Sequence, residues 1–477
     1  MRSGGILIGG EELPSRSGRS FPVYNPDTGE VLGHAASGDA EDIDRAVAAA
    51  RRGFEAWNDL TPGLRERILL RAAEIFEDED GTRLQDLLMA ESGSTIGKAA
   101  YEVGYTPSLL RTAAGEVRRL YGDTFPNDRN DRISMVIREP LGVVGVLAPY
   151  NAPLALLAKM VAFPLAAGNA VVIKPSEETP FIALEFAKVL LRAGVPPDAV
   201  SVVTGMGPDV GAPLAVHPDV DAIALTGSTA TGIAVGREAM GGLKRVQLEL
   251  GGKNALVVLA DYDPVEAAQI AADGIFFHGG QICMANSRVI VEAPIYEPFL
   301  KAFKAAAERL TFGDLSDPAT AYGPLINQRA VDKVRAQQAQ AVAAGARIVT
   351  GGTVLRDMVY APTILAETPR DASAWREESF GPVANVVKAA DFEDAITIAN
   401  DCDYGLSAGV LTHRIGLGLK AARRIKAGSV HIGMHPFQSN AMAPIGGTKM
   451  SGIGKSGGRY STEEFTELKW ISLEVGC

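Results

Sequence analysis

The sequence predicts an α/β protein built on parallel sheets with helices on both faces. Short β-branched apolar runs recur at Val143–Leu147, Ala170–Ile173, Val200–Val203, Ala222–Leu225 and Ala255–Leu259, and helical stretches separate the first four. Polar or glycine-rich clusters follow them: Pro149-Tyr150-Asn151, Lys174-Pro175-Ser176-Glu177, Gly205-Met206-Gly207, and Thr226 through Gly232. Sheets of this kind bind ligands at the carboxyl ends of their strands, so the clusters fall where a dinucleotide would lie. At 477 residues the chain exceeds one ordinary core and divides into about two or three domains.

Taken in order, residues 1–38 read as a meandering lead-in with a turn at Asn25-Pro26-Asp27-Thr28-Gly29. Asp39 or Asp42 then opens a helix with Ile43, Val47, Phe54 and Trp57 on one buried face. Helical patterns continue through Ile68–Phe76, Leu84–Ser92 and Leu109–Leu120, with Arg118 and Arg119 on a solvated face. After Asn254 a second α/β segment runs to about residue 445. Gly452-Ile453-Gly454-Lys455-Ser456-Gly457 fits the Gly-x-Gly-x-x-Gly pattern, but no strand precedes it and no crossover helix follows. It reads as a flexible loop. The tail Phe465–Val475 is strand-like and lacks an obvious neighbour nearby, which invites pairing with an edge elsewhere, another subunit being one option.

Composition narrows the function classes. Hydrophobic residues make up 47% of the chain and charged residues 22%, as in soluble globular proteins. A net charge of −11 argues against nucleic acid or an anionic membrane as partner. Three cysteines, Cys283, Cys402 and Cys477, form no disulfide framework and fit a reducing compartment. No signal peptide or membrane span is visible, so a cytoplasmic enzyme is expected. His34, His217, His278, His413, His431 and His435 show no ligand spacing, and no metal site is expected.

The chemistry concentrates at Phe276-Phe277-His278-Gly279-Gly280-Gln281-Ile282-Cys283-Met284, a glycine-softened loop between the helical run Ala267–Phe277 and the β-branched run Arg288–Val291. A lone cysteine is most often a small core hydrophobe. Two features argue otherwise: Gly279-Gly280 lets backbone approach a ligand closely, and Leu248-Glu249-Leu250-Gly251-Gly252-Lys253 supplies a carboxylate upstream. Together with Glu377-Glu378-Ser379-Phe380-Gly381-Pro382, Lys174 with Glu177, and Asn151, these motifs resemble those of the aldehyde dehydrogenase superfamily over essentially the whole chain.

The resemblance implies a Rossmann-type NAD-binding domain from residues 1–121 and 141–253, and a catalytic domain from 254–445. A β oligomerisation element would come from a hairpin at 122–140 and the tail 446–477, making a homodimer or homotetramer. It implies Cys283 as nucleophile, Glu249 as general base, and Asn151 as oxyanion donor beside the Cys283 N–H. Asn151 also stands where it would cap a helix. Glu249 has an alternative partner set in Lys244, Arg245 or Lys253. NAD is the implied cofactor. Lys174 and Glu177 would hold the adenosine ribose, and the Glu177 charge would repel the 2′-phosphate of NADP. Ser228 and the amides from Gly227 to Gly232 would hold the pyrophosphate. Glu378 and Phe380 would hold the nicotinamide ribose and ring. Ala148, Pro149, Tyr150, Ser176, Gly207, Gly211, Thr226, Leu250 and Gly251 complete the expected cradle.

Glu249 favours hydrolysis of the thioester to a free acid over transfer to coenzyme A. Gly280-Gln281-Ile282-Cys283-Met284, Asn151-Ala152-Pro153 and the ending Phe465-Thr466-Glu467-Leu468-Lys469-Trp470-Ile471 resemble bacterial benzaldehyde, vanillin and salicylaldehyde dehydrogenases. The sequence departs from them at Tyr150, where Trp is usual, and at Ala443-Pro444-Ile445-Gly446-Gly447, where Phe precedes the glycines. An aromatic aldehyde is the expected substrate, with aliphatic aldehydes and semialdehydes as alternatives. No arginine is obviously placed for a substrate carboxylate. A non-redox cysteine esterase or acyltransferase is the alternative from another class.

Overall fold

The computed structural model describes residues 2–475; Met1, Gly476 and the third cysteine, Cys477, lie outside the described residues. Helices and strands alternate from residue 143 onward as the apolar runs predict, and they build two large sheets. The first sheet has the order Gly452–Ile453, Arg245–Glu249, Ala222–Thr226, Val143–Leu147, Ala170–Lys174, Val200–Val202, Ile6–Ile8, Glu11–Leu13. Its middle five strands, Arg245–Glu249 through Val200–Val202, run parallel. Val143–Leu147 and Ala170–Lys174 are buried along their whole length, as parallel strands covered on both faces must be.

Two strands differ from expectation. The fifth parallel strand is Arg245–Glu249, not the run at Ala255. Its sequence, Arg-Val-Gln-Leu-Glu, is polar at every second position, so it reads as a strand by alternation and not by apolarity. Ala255–Val258 instead lies in the second sheet, whose order is Arg347–Thr350, Thr363–Ala366, Val383–Ala389, Arg288–Glu292, Ala255–Val258, Ser407–Leu411, Ser429–Ile432. Period-two alternation sorts its side chains. Leu256 and Val258 join the cluster of the Pro264–Phe276 and Tyr296–Glu308 helices, whereas Ala255 and Val257 join that of Phe392–Asn400 and Ile415–Arg424.

The lead-in is more ordered than a meander, because Ile6–Ile8 pairs antiparallel with Val200–Val202 and extends the first sheet. Asp39, not Asp42, caps the Ala40–Asn58 helix, accepting from the Glu41 and Asp42 amides. The helix expected at Leu109–Leu120 starts earlier and spans Ile96–Glu116, its pattern blurred by Gly97, Gly104 and an internal Pro107. The stretch Gly452–Gly457 is not a free loop: Gly452–Ile453 pairs antiparallel with Leu248–Glu249, and Ile445 bridges Ser456. The expected element 446–477 therefore divides, and within it Thr466–Glu474 joins a three-stranded sheet with Arg132–Pro140 and Asp123–Phe125. The tail finds its strand partner within the chain, in register from Thr466 opposite Pro140 to Glu474 opposite Arg132. Among the described residues no helix is long and apolar enough to cross a membrane.

Candidate active site

Cys283 sits in the loop between the Pro264–Phe276 helix and the Arg288–Glu292 strand. The backbone reverses there through three successive left-handed residues, His278, Gly279 and Gly280, at φ of 52°, 61° and 73°. A Cβ on Gly280 would stand 2.2 Å from the Gly381 carbonyl oxygen, so the glycine lets the loop press against the Glu378–Gly381 segment. A Cβ on Gly252 would stand 2.4 Å from the Cys283 carbonyl oxygen. These two glycines seat the cysteine loop between the Glu-Leu-Gly-Gly-Lys and Glu-Glu-Ser-Phe-Gly motifs, which lie far apart in sequence. The Asn254 amide fixes the loop by donating to the carbonyls of Cys283 (2.7 Å) and Ala285 (3.0 Å). Gln281, fully buried, donates to the His278 and Pro324 carbonyls and accepts from the Ile326 amide. His278 is buried and stands outside the cavity wall.

One cavity receives the chemistry. Cys283, Glu249 and Asn151 all line it, among apolar neighbours such as Leu156, Phe277, Ile282 and Phe437. Cys283 is only partly buried. Burial, followed by the nearby Glu378 and Glu249 carboxylates, pushes its thiol up to about 12, against the counter-pull of Lys159. At neutral pH it therefore rests as a thiol and needs a local base. Glu249 ends its parallel strand, with Oε1 buried and without a hydrogen-bond partner among the described residues. Burial raises its carboxyl to about 7, with Lys159 and Lys455 opposing the rise. Lys244 bonds the His217 and Val220 carbonyls, Arg245 pairs with Glu467, and Lys253 bonds Ser379, so the three expected alternative partners are engaged elsewhere.

The Asn151 amide donates to the Gln281 carbonyl at 2.8 Å, tying the first sheet's turn to the cysteine loop. It does not cap the following helix, Ala155–Ala166. That cap comes from Glu102, whose Oε2 accepts from the Leu154 (3.1 Å) and Ala155 (3.0 Å) amides while Oε1 pairs with Lys98. The Cys283 N–H donates to no backbone carbonyl among the described residues.

The residues expected to cradle a dinucleotide lie past the carboxyl ends of the five parallel strands. Ala148–Tyr150 follow Val143–Leu147; Lys174, Ser176 and Glu177 end or follow Ala170–Lys174; Gly207 and Gly211 follow Val200–Val202. Thr226, Gly227 and Ser228 end or follow Ala222–Thr226, and Leu250 and Gly251 follow Arg245–Glu249. The Lys174 ammonium lies 3.1 Å from Glu177. Burial alone would raise the Glu177 carboxyl, but Lys174 outweighs it and holds the group below its ordinary value. Ser228 caps the thirteen-residue helix Thr229–Gly241 through the Thr231 amide. Gly232 lets that helix touch Leu250, since a Cβ there would stand 2.2 Å from its side chain. Glu378 accepts from the Gly252 amide at 3.1 Å, and the Tyr150 and Phe380 rings meet edge to face at 5.9 Å. Among the described residues no cluster of three or more His, Cys, Asp or Glu is arranged to hold a metal.

Sequence reasoning did not find Lys159, Tyr105 and Glu102 on the same cavity wall. Lys159 carried a signal: it is the one charged residue in the apolar stretch Ala152–Ala167.

The model of the aldehyde dehydrogenase family matches residues 13–471. Vanillin dehydrogenase of Pseudomonas fluorescens is 38% identical over 474 residues, covering 99% of this chain and 98% of the relative. The mitochondrial succinate-semialdehyde dehydrogenase of Arabidopsis thaliana is 37% identical, covering 99% and 90%. The crystal structure of an NAD-dependent aldehyde dehydrogenase from Sinorhizobium meliloti superposes with a TM-score of 0.97 at 34% identity, covering 100% and 95% of the two chains.

Proposed function

The chain belongs to the aldehyde dehydrogenase family, and from that premise we propose that it oxidises an aromatic aldehyde to the carboxylic acid with NAD. The observation that carries the reading is the convergence of Cys283, Glu249 and Asn151 on one cavity wall. The proposed dinucleotide site fits the chemistry of its donor set: helix amides at Thr229–Gly241, the Lys174–Glu177 pair for a diol, and the Glu378 carboxylate beside Gly251 and Gly252. Bound there, NAD supplies the hydride acceptor that takes the thiohemiacetal to the thioester.

The remaining work falls to this chain. Cys283 Sγ bonds the carbonyl carbon while Glu249 takes the thiol proton, and the oxyanion receives the Asn151 amide and the Cys283 N–H. After oxidation Glu249 gives up the thiol's proton to solvent and, again a carboxylate, draws a proton from the water whose oxygen attacks the thioester. The C–S bond breaks and the acid leaves. The Glu249 value of about 7 suits that duty near neutral pH. Glu177, held ionised by Lys174, favours NAD over NADP.

The aromatic assignment is supported by the vanillin dehydrogenase relative and by Tyr101, Tyr105, Phe277 and Phe437 on the cavity wall. A homodimer or homotetramer is part of the same reading, supported by the outward-facing Leu468, Trp470 and Leu473 on the terminal strand. So is the division into cofactor-binding and catalytic domains near Lys253, where the chain passes from the first sheet to the second. Reduced-cofactor absorbance with a panel of benzaldehydes, alkanals and semialdehydes, each with NAD and NADP, tests it. Benzaldehydes with NAD should give the highest kcat/KM. Ester hydrolysis without aldehyde oxidation would replace the reading with a non-redox one.

A further inference from the structure

The polar side chains of the cavity divide into satisfied and unsatisfied groups. On the Ile96–Glu116 helix, Lys98, Tyr101, Glu102 and Tyr105 follow the i, i+3, i+4, i+7 spacing and line one wall. Lys98 and Glu102 neutralise each other, and Tyr101 bonds Ser439. The Tyr105 hydroxyl, in contrast, is buried without a partner among the described residues. On the opposing helix, Ala155, Leu156, Lys159 and Met160 form the facing wall. Every residue of that helix except Lys159 is apolar. Lys159 is 6% exposed and makes no ion pair or hydrogen bond among the described residues; the Glu249 carboxylate acts on it at longer range. An ammonium set in an apolar wall without a direct partner is costly, and one that opens onto a substrate cavity beside the nucleophile acquires its partner from the ligand.

We propose that Lys159 and Tyr105 bind a second oxygen on the substrate, so that this enzyme selects aldehydes carrying a hydroxyl or carboxylate close to the reacting carbonyl. The inference rests on the aldehyde dehydrogenase reading and deepens it. Lys159 lines the same cavity as Cys283 and Glu249, which puts the recognised oxygen on the molecule whose carbonyl reacts there. The phenyl ring of such a substrate would lie among the apolar residues, while its substituent would supply the acceptor both orphaned donors lack.

Steady-state kinetics with benzaldehyde, 2-hydroxybenzaldehyde, 2-carboxybenzaldehyde and succinic semialdehyde test this in the wild type, Lys159→Met and Tyr105→Phe. The wild type should favour the oxygen-bearing substrates, and Lys159→Met should raise their KM about ten- to a hundredfold more than that of benzaldehyde. The hydroxyl and carboxylate arms show which oxygen is read. Calorimetry supplies a readout independent of turnover: 2-hydroxybenzoate should bind the wild type more tightly than benzoate, and Lys159→Met should bind both alike. Equal losses on all substrates in Lys159→Met would overturn the proposal and make the lysine a countercharge for the cysteine–glutamate pair. Unaltered preference in Tyr105→Phe would remove the tyrosine. Turnover of benzaldehyde with no preference among substrates sinks this inference alone, whereas absence of NAD reduction with every aldehyde sinks the reading beneath it.

Discussion

Cys283 and Glu249 have complementary acid–base properties. The thiol is held protonated, at about 12, and the carboxyl is at about 7, so moving the proton from sulfur to carboxylate is uphill until carbon–sulfur bond formation consumes the thiolate. Cys283→Ala should abolish aldehyde oxidation while leaving NAD affinity intact by calorimetry; oxidation above a few per cent of wild type would exclude the nucleophile role. A base must be deprotonated to act, so deacylation should climb as pH rises through about 7. Glu249→Gln should flatten that profile and slow both acylation and hydrolysis, seen as a lost pre-steady-state burst and a lower kcat. At the ribose end, Glu177→Gln removes the charge that repels a 2′-phosphate. It should improve the NADP/NAD ratio of kcat/KM about tenfold or more, and an unmoved ratio would displace the ribose from this pair.

The elements show what held these residues in place. Of the two helix walls around the cavity, one starts on a buried carboxylate: Glu102 caps the amides of Leu154 and Ala155 and also neutralises Lys98. Glu102→Ala strands a buried ammonium and two amide donors, and should cost about 3–5 kcal/mol, seen as a lower thermal midpoint. Glu102→Gln keeps an acceptor and should lose less. Gly252→Ala tests the close approach of the two motifs; its methyl would collide with the Cys283 carbonyl, so kcat should fall well over tenfold with the melting profile nearly kept. Legibility from sequence followed element type. Val143–Leu147 and Ala170–Lys174 are buried on both faces and were visible as continuous apolar runs. Arg245–Glu249 hid because its alternate residues are polar, and Ile6–Ile8 hid because its partner, Val200–Val202, lies almost two hundred residues away. The motif residues announced themselves by local chemistry. Tyr105 did not, and Lys159 stood out only as a lone charge in an apolar stretch; the packing of two helices is what shows that both line one void.

At the scale of the whole molecule, the two sheets present the chemistry from opposite sides. The first contributes Asn151 and Glu249 from its strand ends, and the second carries the loop of Cys283. The two contributions meet where Gly252, Asn254 and Gln281 bring the backbones together. The three-stranded sheet lies outside both, with Leu468, Trp470 and Leu473 turned to solvent. Sedimentation should show a dimer or larger species, and Trp470→Glu should shift it toward monomer; an unchanged sedimentation coefficient would place the contact elsewhere.

The short pairing of Gly452–Ile453 with Leu248–Glu249 ties these scales together. It fastens the closing stretch of the polypeptide to the very strand that delivers the base, and the Arg245–Glu467 pair adds a second rivet farther along. The backbone beneath Glu249 is thus held on one side by its own parallel sheet and on the other by the chain's closing segment.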